Sequence, residues 1–207
     1  HCVFRNFDAD PEDPASYNFA CTDAYLKAIV NSGTQIIYRL GESAENDSEA
    51  HIHPYRYAVP PKDNLKWAKI CEGIIRHYNE GWADGFHYDI EYWEIWNEPD
   101  TGYKQGNSPT WGGTMDEFFV LFETALYYLK EKFPHLKIGG PSLCSVTDSR
   151  DIMEDMFTYL NRDGKHAPLD FFSWHMYGED VTEFVRKIRL VREFLDSYGY
   201  TECESIL

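Results

Sequence analysis

The sequence predicts an α/β protein with a parallel sheet, because segments of helical and strand character alternate along its 207 residues. Both a doubly wound sheet and a (β/α)₈ barrel produce such alternation. The predicted strands end in polar or aromatic clusters, as expected where all carboxyl ends face one shared site. No Gly-x-Gly-x-x-Gly turn follows a strand, which weakens the nucleotide-binding alternative. These observations favour the barrel, but the four predicted strands fall short of the usual eight in roughly 250 residues. Either strands are missing or the architecture is different.

The first half of the chain carries two predicted helices and two predicted strands. Apolar residues share one face from about 22 to 32, which predicts a first helix. A second helix is predicted from 62 to 79, where apolar residues recur every three or four positions and Gly81 supplies the end. The predicted strands are 34–41, a short apolar run, and 92–98, which is rich in bulky aromatic and β-branched residues.

The second half continues the alternation. Thr114 and Glu117 have the spacing of a capping box at the start of a third helix, which ends before Pro134. The remaining predicted elements are a strand at 136–143, a helix at 148–161, a strand at 170–178 and a helix at 181–198. In this last helix one apolar stripe is formed by Val181, Phe184, Val185, Ile188, Val191 and Leu195.

The composition is strongly acidic, with 35 Asp and Glu against 19 Lys and Arg and a formal charge of −16. Such a surface repels nucleic-acid phosphates and anionic lipids, so neither nucleic acid nor a membrane is a predicted partner. No apolar run approaches the roughly 20 residues of a membrane span, and no signal peptide is visible at the start. The five cysteines are scattered and odd in number, which predicts reduced, mostly buried thiols. Together these features predict a cytoplasmic location.

The stretch YWEIWNEPD, residues 92–100, combines two tryptophans, two glutamates and an asparagine. A strand-end carboxylic acid beside large aromatic rings is partly desolvated, and desolvation raises the pKa of such an acid. Glu98 in this setting suits general acid/base catalysis of glycoside hydrolysis. Asn97 suits a sugar hydroxyl, and Trp96, or Trp111 in the next loop, offers an apolar face for a sugar ring. From composition alone, core packing with a surface carboxylate is the commoner explanation, so the whole motif must decide.

The residues around Glu98 resemble the acid/base strand of the clan A glycoside hydrolases, in which Asn-Glu-Pro ends the fourth strand of a (β/α)₈ barrel. The wider context is most similar to glycoside hydrolase family 39, the family of β-xylosidases and α-L-iduronidases. The supporting segments are Tyr38-Arg39-Leu40-Gly41, Lys66-Trp67-Ala68, Arg76-His77-Tyr78-Asn79 and Trp174-His175-Met176-Tyr177. The resemblance implies that Glu98 is the general acid/base and that Asn97 contacts the substrate 2-hydroxyl. It also implies that His175 and Tyr177 orient the catalytic carboxylates.

The resemblance also numbers the strands. With 92–98 as the fourth strand, 34–40 is the third, 136–142 the fifth and 170–177 the sixth. Residues 1–207 are then expected to form a single domain, a partial (β/α)₈ barrel without its first two and last two strands. The first two strands would precede His1, and the seventh would begin just after Leu207.

A retaining mechanism needs a second carboxylate about 5 to 5.5 Å from the first, acting as nucleophile. In this clan it ends the seventh strand, so the resemblance implies a nucleophile Glu beyond Leu207. Glu202 and Glu204 lie in or beside the approach to that strand and are not assigned this role. Glu94 shares a strand face with Glu98 but lies a layer deeper, where we expect it to pair with a cation.

Other polar residues carry weaker expectations. Arg39 suits either a substrate hydroxyl or carboxylate or a structural salt bridge, and both alternatives stay open. His51 and His53 face one side of an extended segment, but no companion His and Asp complete a metal site. Asp47 and Glu49 lack the ligand pattern of a calcium loop and are predicted to be solvated. No metal or organic cofactor is predicted, since two carboxylates suffice for the chemistry.

The predicted function is therefore retaining hydrolysis of a carbohydrate substrate, similar to that of a β-xylosidase, by the full-length parent. The 207-residue chain alone is expected to be inactive, because it lacks the nucleophile. The alternative is a catalytically incomplete barrel or a carbohydrate-binding remnant. In this alternative, the exposed strand edges at both ends of the partial sheet would favour association with another chain, for example as a homo-oligomer.

Overall fold

A computed structural model describes residues 3–41 and 59–207. Within these ranges α-helices and β-strands alternate along the chain. The helices are α1 (Ala20–Asn31), α2 (Asn64–Glu80), α3 (Met115–Lys132), α4 (Arg150–Leu160) and α5 (Val181–Ser197). The strands are β1 (Ile37–Leu40), β2 (Tyr92–Ile95), β3 (Lys137–Leu143), β4 (Phe171–Trp174) and β5 (Glu204–Ile206).

The strands form one parallel sheet in the order β1-β2-β3-β4-β5. Each connection therefore moves one strand further in the same direction. A doubly wound sheet reverses its strand order at a switch point, whereas a barrel adds its strands in sequence. The observed order confirms the prediction of a partial (β/α)₈ barrel over the doubly wound alternative.

The predicted strand count is wrong by one. Glu204–Ile206 already pairs in parallel with residues 171–173 of β4, whereas the next strand was expected to begin just after Leu207. This three-residue segment contains a glutamate and a serine and shows no apolar run. Hydrogen bonding to β4, not residue pattern, makes it a strand. The described part of the chain thus holds five barrel strands.

Local signals place the helix ends. Asp63 caps α2 by accepting a hydrogen bond from the Lys66 N–H at 3.0 Å, and Gly81 ends this helix in the left-handed conformation with φ of 73°. A left-handed residue after the last turn is commonly glycine, which adopts it without strain. Thr114 and Glu117 form a reciprocal capping box at the start of α3. Both the Gly81 stop and the capping box confirm the sequence predictions.

The two faces of the sheet differ in polarity because successive residues of a strand point to opposite sides. Trp93 and Ile95 lie in the hydrophobic core that the sheet shares with its helices. Glu94, between them, lines an open concave space of about 600 Å³ on the other face. Arg39 and Ser142 line the same space. The concave face therefore collects polar side chains from successive strands.

The predicted apolar stripe of α5 is only partly buried. Val191 and Leu195, in its C-terminal half, lie in the core. Val181 is 72% exposed, and Val185 and Ile188 are also exposed. No helix within residues 3–41 and 59–207 is long and apolar enough to cross a membrane.

The described cysteines are free thiols in different environments. Cys71 and Cys203 are buried, Cys144 is half-buried and Cys21 is exposed. Burial raises the pKa of the Cys203 thiol to about 12. All four are free, as expected, but only two of these four are buried.

Candidate active site

Glu98 lies just beyond the carboxyl end of β2, on a backbone held from two sides. Its N–H donates to the carbonyl oxygen of Ser142 at 3.1 Å, and its own carbonyl oxygen accepts from the Thr110 hydroxyl. The φ angles of Trp96 and Glu98 are 70° and 47°, in the left-handed region that residues other than glycine adopt infrequently. Such backbone is retained where the surroundings hold it, and it clusters at functional sites.

The Glu98 carboxyl group forms hydrogen bonds with two side chains. Its Oε1 lies 2.6 Å from Nδ1 of His175, and its Oε2 accepts from the Thr101 hydroxyl at 3.1 Å. The Glu98 side chain is 20% exposed, so the acid is shielded yet open to solvent. His175 follows β4, and its backbone N–H donates to the Leu143 carbonyl oxygen at 2.7 Å. The parallel register of the strands thus brings Glu98 and His175 together across 77 residues of sequence.

A second layer of polar groups lies beneath this pair. Arg39 Nε is 2.6 Å from Glu94 Oε2, which confirms that Glu94 pairs with a cation. The Ser142 hydroxyl donates to Glu94 Oε1 at 2.8 Å and lies 3.1 Å from His175 Nε2. A continuous hydrogen-bonded chain therefore connects the Arg39–Glu94 ion pair to Glu98 through Ser142 and His175.

Arg39 adopts the salt bridge that was one of its two expected roles. Its side chain remains 43% exposed and lines the concave space, so contact with a substrate stays a prediction.

Trp96 and Trp111 are not available to a ligand, which corrects the expectation that one of them stacks on a sugar. Both are essentially inaccessible to solvent, and their rings meet edge to face with centroids 5.2 Å apart. The indole N–H of Trp96 donates to the Thr110 carbonyl oxygen at 2.9 Å. The left-handed turn at Trp96 directs its side chain into the core between helices α2 and α3, where Trp67 and Phe118 contact it.

Asn97 is half-buried beside Glu98, whereas Tyr177 is exposed beside His175. The Asn97 Oδ1 atom is buried without a hydrogen-bond partner among the described residues. Tyr177 is 89% exposed, with its ring centroid 6.5 Å from that of His175. Among the described residues, only His175 of the predicted orienting pair contacts Glu98, and the role of Tyr177 stays a prediction.

Glu204 is far from a catalytic position. Its register partner is Phe171, the first residue of β4, which places it at the opposite end of the strands from His175. Its carboxylate pairs with Lys137 at 3.0 Å and accepts from the Tyr92 hydroxyl at 2.8 Å. Burial alone would raise the pKa of Glu204, but the hydrogen bonds from Lys137 and Tyr92 outweigh it and lower that pKa. Glu202, which precedes β5, is exposed at the same end.

Asp100, which was not predicted from the sequence, ties two strand-end loops together. It is 6% exposed and accepts from the N–H groups of Cys144 and Ser145 and from the Ser149 hydroxyl. Its place directly after Asn-Glu-Pro was the only available signal. Burial and the nearby charges of Glu98 and Asp100 raise the pKa of the Cys144 thiol, which keeps it neutral.

We expect Asp100→Ala to lower the free energy of unfolding by about 3 kcal/mol, because it leaves three donors without their charged acceptor. Urea unfolding of the purified protein measures the difference. Asp155→Ala, at an exposed position of α4, is the matched control and should change stability by less than about 0.5 kcal/mol. Equal stability of the two variants would contradict a stabilising role of Asp100 between the two loops.

No group of three or more His, Cys, Asp or Glu side chains within the described ranges has the geometry to hold a metal ion. The pair His51 and His53, and Asp47 with Glu49, lie outside those ranges.

The fold and the site together define a (β/α)₈-barrel protein with a half-buried carboxylic acid at a strand end, bonded to a histidine from a later strand. The chain belongs to glycosyl hydrolases family 39, whose pattern matches residues 2–204. This confirms the resemblance seen in the sequence.

Known proteins agree with this assignment. The chain is 25% identical over 182 residues to a β-xylosidase from Geobacillus stearothermophilus, covering 84% of this chain and 33% of that protein. A β-xylosidase from Caldicellulosiruptor saccharolyticus is 25% identical over 183 residues, covering 86% and 34% respectively. The chain thus spans about a third of the length of these relatives.

Solved structures share the fold. A glucosidase from Croceicoccus marinus superimposes with a TM-score of 0.83 and 32% identity, over 99% of this chain and 40% of that one. A family 39 β-xylosidase from Caulobacter crescentus gives a TM-score of 0.67 at 18% identity, over 91% and 40% of the two chains.

Proposed function

We propose that the protein to which this chain belongs is a retaining glycoside hydrolase, similar to a β-xylosidase, with Glu98 as general acid and base. The observation that carries the proposal is the 2.6 Å contact between Glu98 Oε1 and His175 Nδ1 at the carboxyl end of the sheet. A carboxyl group in that contact can hold a proton, lose it to a substrate and recover it. Membership of family 39 and the β-xylosidase relatives support the same chemistry.

In the first step Glu98 gives its proton to the glycosidic oxygen. The bond from that oxygen to the anomeric carbon breaks, its electron pair stays on the oxygen, and a second carboxylate bonds to the anomeric carbon. In the second step Glu98 takes a proton from water, and the resulting hydroxide displaces the carboxylate. Proton and electron counts balance without a cofactor.

The second carboxylate comes from outside the described residues in this proposal. Glu94 is held by Arg39, and Glu204 by Lys137 at the far end of the strands, so neither is free to attack an anomeric carbon above Glu98. The 207-residue chain by itself is accordingly proposed to be inactive.

Substrate contacts are proposed for residues at the mouth of the site. Asn97 Oδ1 is buried without a partner, which costs about 1–3 kcal/mol, and a sugar hydroxyl would remove that cost if the half-buried side chain turns its oxygen towards the substrate. Tyr177 is exposed and offers a ring face, and Arg39 offers its remaining donors from the concave surface.

The test is hydrolysis of aryl β-xylosides and aryl β-glucosides by the complete protein, with the anomeric form of the product followed by NMR. We expect turnover of at least one of these glycosides, with the first product having the same anomeric configuration as the substrate. The 207-residue chain, assayed in parallel, should show no turnover. An inverted first product contradicts the retaining mechanism, and binding of xylosides without turnover by the complete protein contradicts the enzymatic function.

A further inference from the structure

The Ser142 hydroxyl lies between three side chains from three different strands or strand ends. Its Oγ is 2.8 Å from Glu94 Oε1, 3.2 Å from an Arg39 terminal nitrogen and 3.1 Å from His175 Nε2. A serine hydroxyl has one proton to donate and two lone pairs with which to accept. Guanidinium groups only donate, and a carboxylate paired with one only accepts. Glu94 therefore takes the hydroxyl proton and Arg39 uses one lone pair, which leaves the other lone pair for His175.

This count determines which nitrogen of His175 carries hydrogen. Nε2 must be an N–H donor, because Ser142 has no second proton to give. In a neutral imidazole with hydrogen on Nε2, Nδ1 is an acceptor. The 2.6 Å contact between Nδ1 and Glu98 Oε1 then requires one further proton. That proton lies on Glu98 beside a neutral ring, or on Nδ1 beside an ionised Glu98.

The backbone of Ser142 is fixed in a way that favours this geometry. Its N–H donates to the Ser173 hydroxyl at 2.9 Å, and its carbonyl oxygen accepts from the Glu98 N–H at 3.1 Å. Its φ of 58° lies in the left-handed region, which turns the side chain towards the concave face. Ser142 is 1% exposed, so water does not compete for its hydroxyl.

We infer that Ser142 and Glu94 are positioning residues that hold hydrogen on Nε2 of His175 and thereby make the Glu98–His175 pair retain one transferable proton. The inference rests on the proposed role of Glu98. The opposite tautomer, with hydrogen on Nδ1 alone, would donate to an ionised Glu98 and leave the pair without a proton to transfer. It would also place the Nε2 lone pair next to the Ser142 oxygen, whose only proton is already donated to Glu94.

The charged and titratable groups around the pair are consistent with this assignment. Arg39 and Glu94 neutralise each other below the pair, and both oxygens of Asp100 are bonded to backbone N–H groups and Ser149. The neighbouring Cys144 thiol is neutral because burial and adjacent carboxylates raise its pKa. Ser142 is therefore the group that sets the tautomer of His175 among the side chains that the structure describes.

The test is Ser142→Ala in the complete protein, with histidine ring nitrogens observed by ¹⁵N NMR. Alanine accepts the same left-handed backbone about as well as serine, so the change removes the hydroxyl without new strain. We expect wild-type His175 to carry hydrogen on Nε2 and the variant to shift towards the Nδ1–H form. The basic limb of the kcat/KM profile should then move to lower pH by roughly one unit, a tenfold loss on that limb. For a substrate with an activated leaving group, the loss of kcat/KM on the basic limb should be smaller, because its departure needs less help from a proton.

Ser197→Ala is the control, because its hydroxyl donates to a carbonyl oxygen at the end of α5, away from the site. It should change neither the tautomer nor the pH profile. Wild-type His175 without hydrogen on Nε2 overturns the inference, even if Ser142→Ala fails to fold. If Ser142→Ala leaves the tautomer of His175 or the pH profile of kcat/KM unchanged, the inference about Ser142 is also overturned. In that case, loss of activity in Glu98→Gln would still support the proposed function. Conversely, full activity in Glu98→Gln removes the proposed function, whatever the tautomer shows.

Discussion

Glu98→Gln in the complete protein is expected to lower kcat for a glycoside with a poor leaving group by roughly 10²–10⁴-fold, the usual contribution of general acid/base catalysis. Glutamine keeps the size of the side chain but cannot give a proton to the glycosidic oxygen. An aryl glycoside with an activated leaving group needs no proton in the first step. It should release a burst of aryl alcohol and then slow, because no base activates water in the second step.

Steady-state and pre-steady-state assays on the two kinds of substrate separate these effects. Azide, a nucleophile that needs no base, should accelerate the slow step of Glu98→Gln and form a glycosyl azide of retained configuration. Glu202→Gln, an equivalent change at an exposed residue of the opposite end of the sheet, is the control. Turnover of the poor substrate at the wild-type rate by Glu98→Gln would exclude Glu98 as the acid.

Trp96→Ala is expected to lower the free energy of unfolding by about 3–5 kcal/mol, since it removes a large buried side chain from a packed core. The indole of Trp96 contacts Trp67, Trp111 and Phe118 and donates to the Thr110 carbonyl oxygen. Urea unfolding measures the loss. Trp96→Phe should lose less, about 1–3 kcal/mol, because it keeps a ring but leaves the Thr110 carbonyl oxygen without its donor.

The matched change is Tyr177→Ala, at a ring that is 89% exposed, which should alter stability by less than about 0.5 kcal/mol. The comparison distinguishes a packing role from a sugar-stacking role for Trp96. Unchanged stability of Trp96→Ala together with a raised KM would mean that the indole faces the substrate, against the structure.

Long, regular segments were predictable from the sequence because their signals are local. The recurrence of apolar residues in α2, the Gly81 stop and the Thr114–Glu117 capping box each depend on neighbours within one or two turns. β5 was missed because three residues with a glutamate and a serine carry no local pattern. Only pairing with β4 makes that segment a strand.

Some residues of the candidate site were also predictable from local sequence motifs, and others were not. Glu98 and His175 were selected by motif, and the register of parallel strands brings them to 2.6 Å from each other. Ser142 was noted only as a polar residue at a strand end and was assigned no role, since a lone serine after Gly-Gly-Pro resembles any turn residue. Trp96 was misassigned because the alternation of a strand stops predicting direction where the backbone turns left-handed.

By itself the sequence determined the alternation of helices and strands, the barrel class, the family resemblance and the choice of Glu98 as the candidate acid. These properties reside in periodicity and in contiguous motifs. Only the tertiary structure decided that Trp96 is core, that Glu204 lies at the wrong end of its strand, and that Ser142 connects Glu94 to His175. Those facts depend on hydrogen bonds between strands 31 to 103 residues apart, such as Ser142 N–H to Ser173 and Arg39 to Ser142. These contacts cannot be predicted from residue order, because they form only when the strands pair in their register.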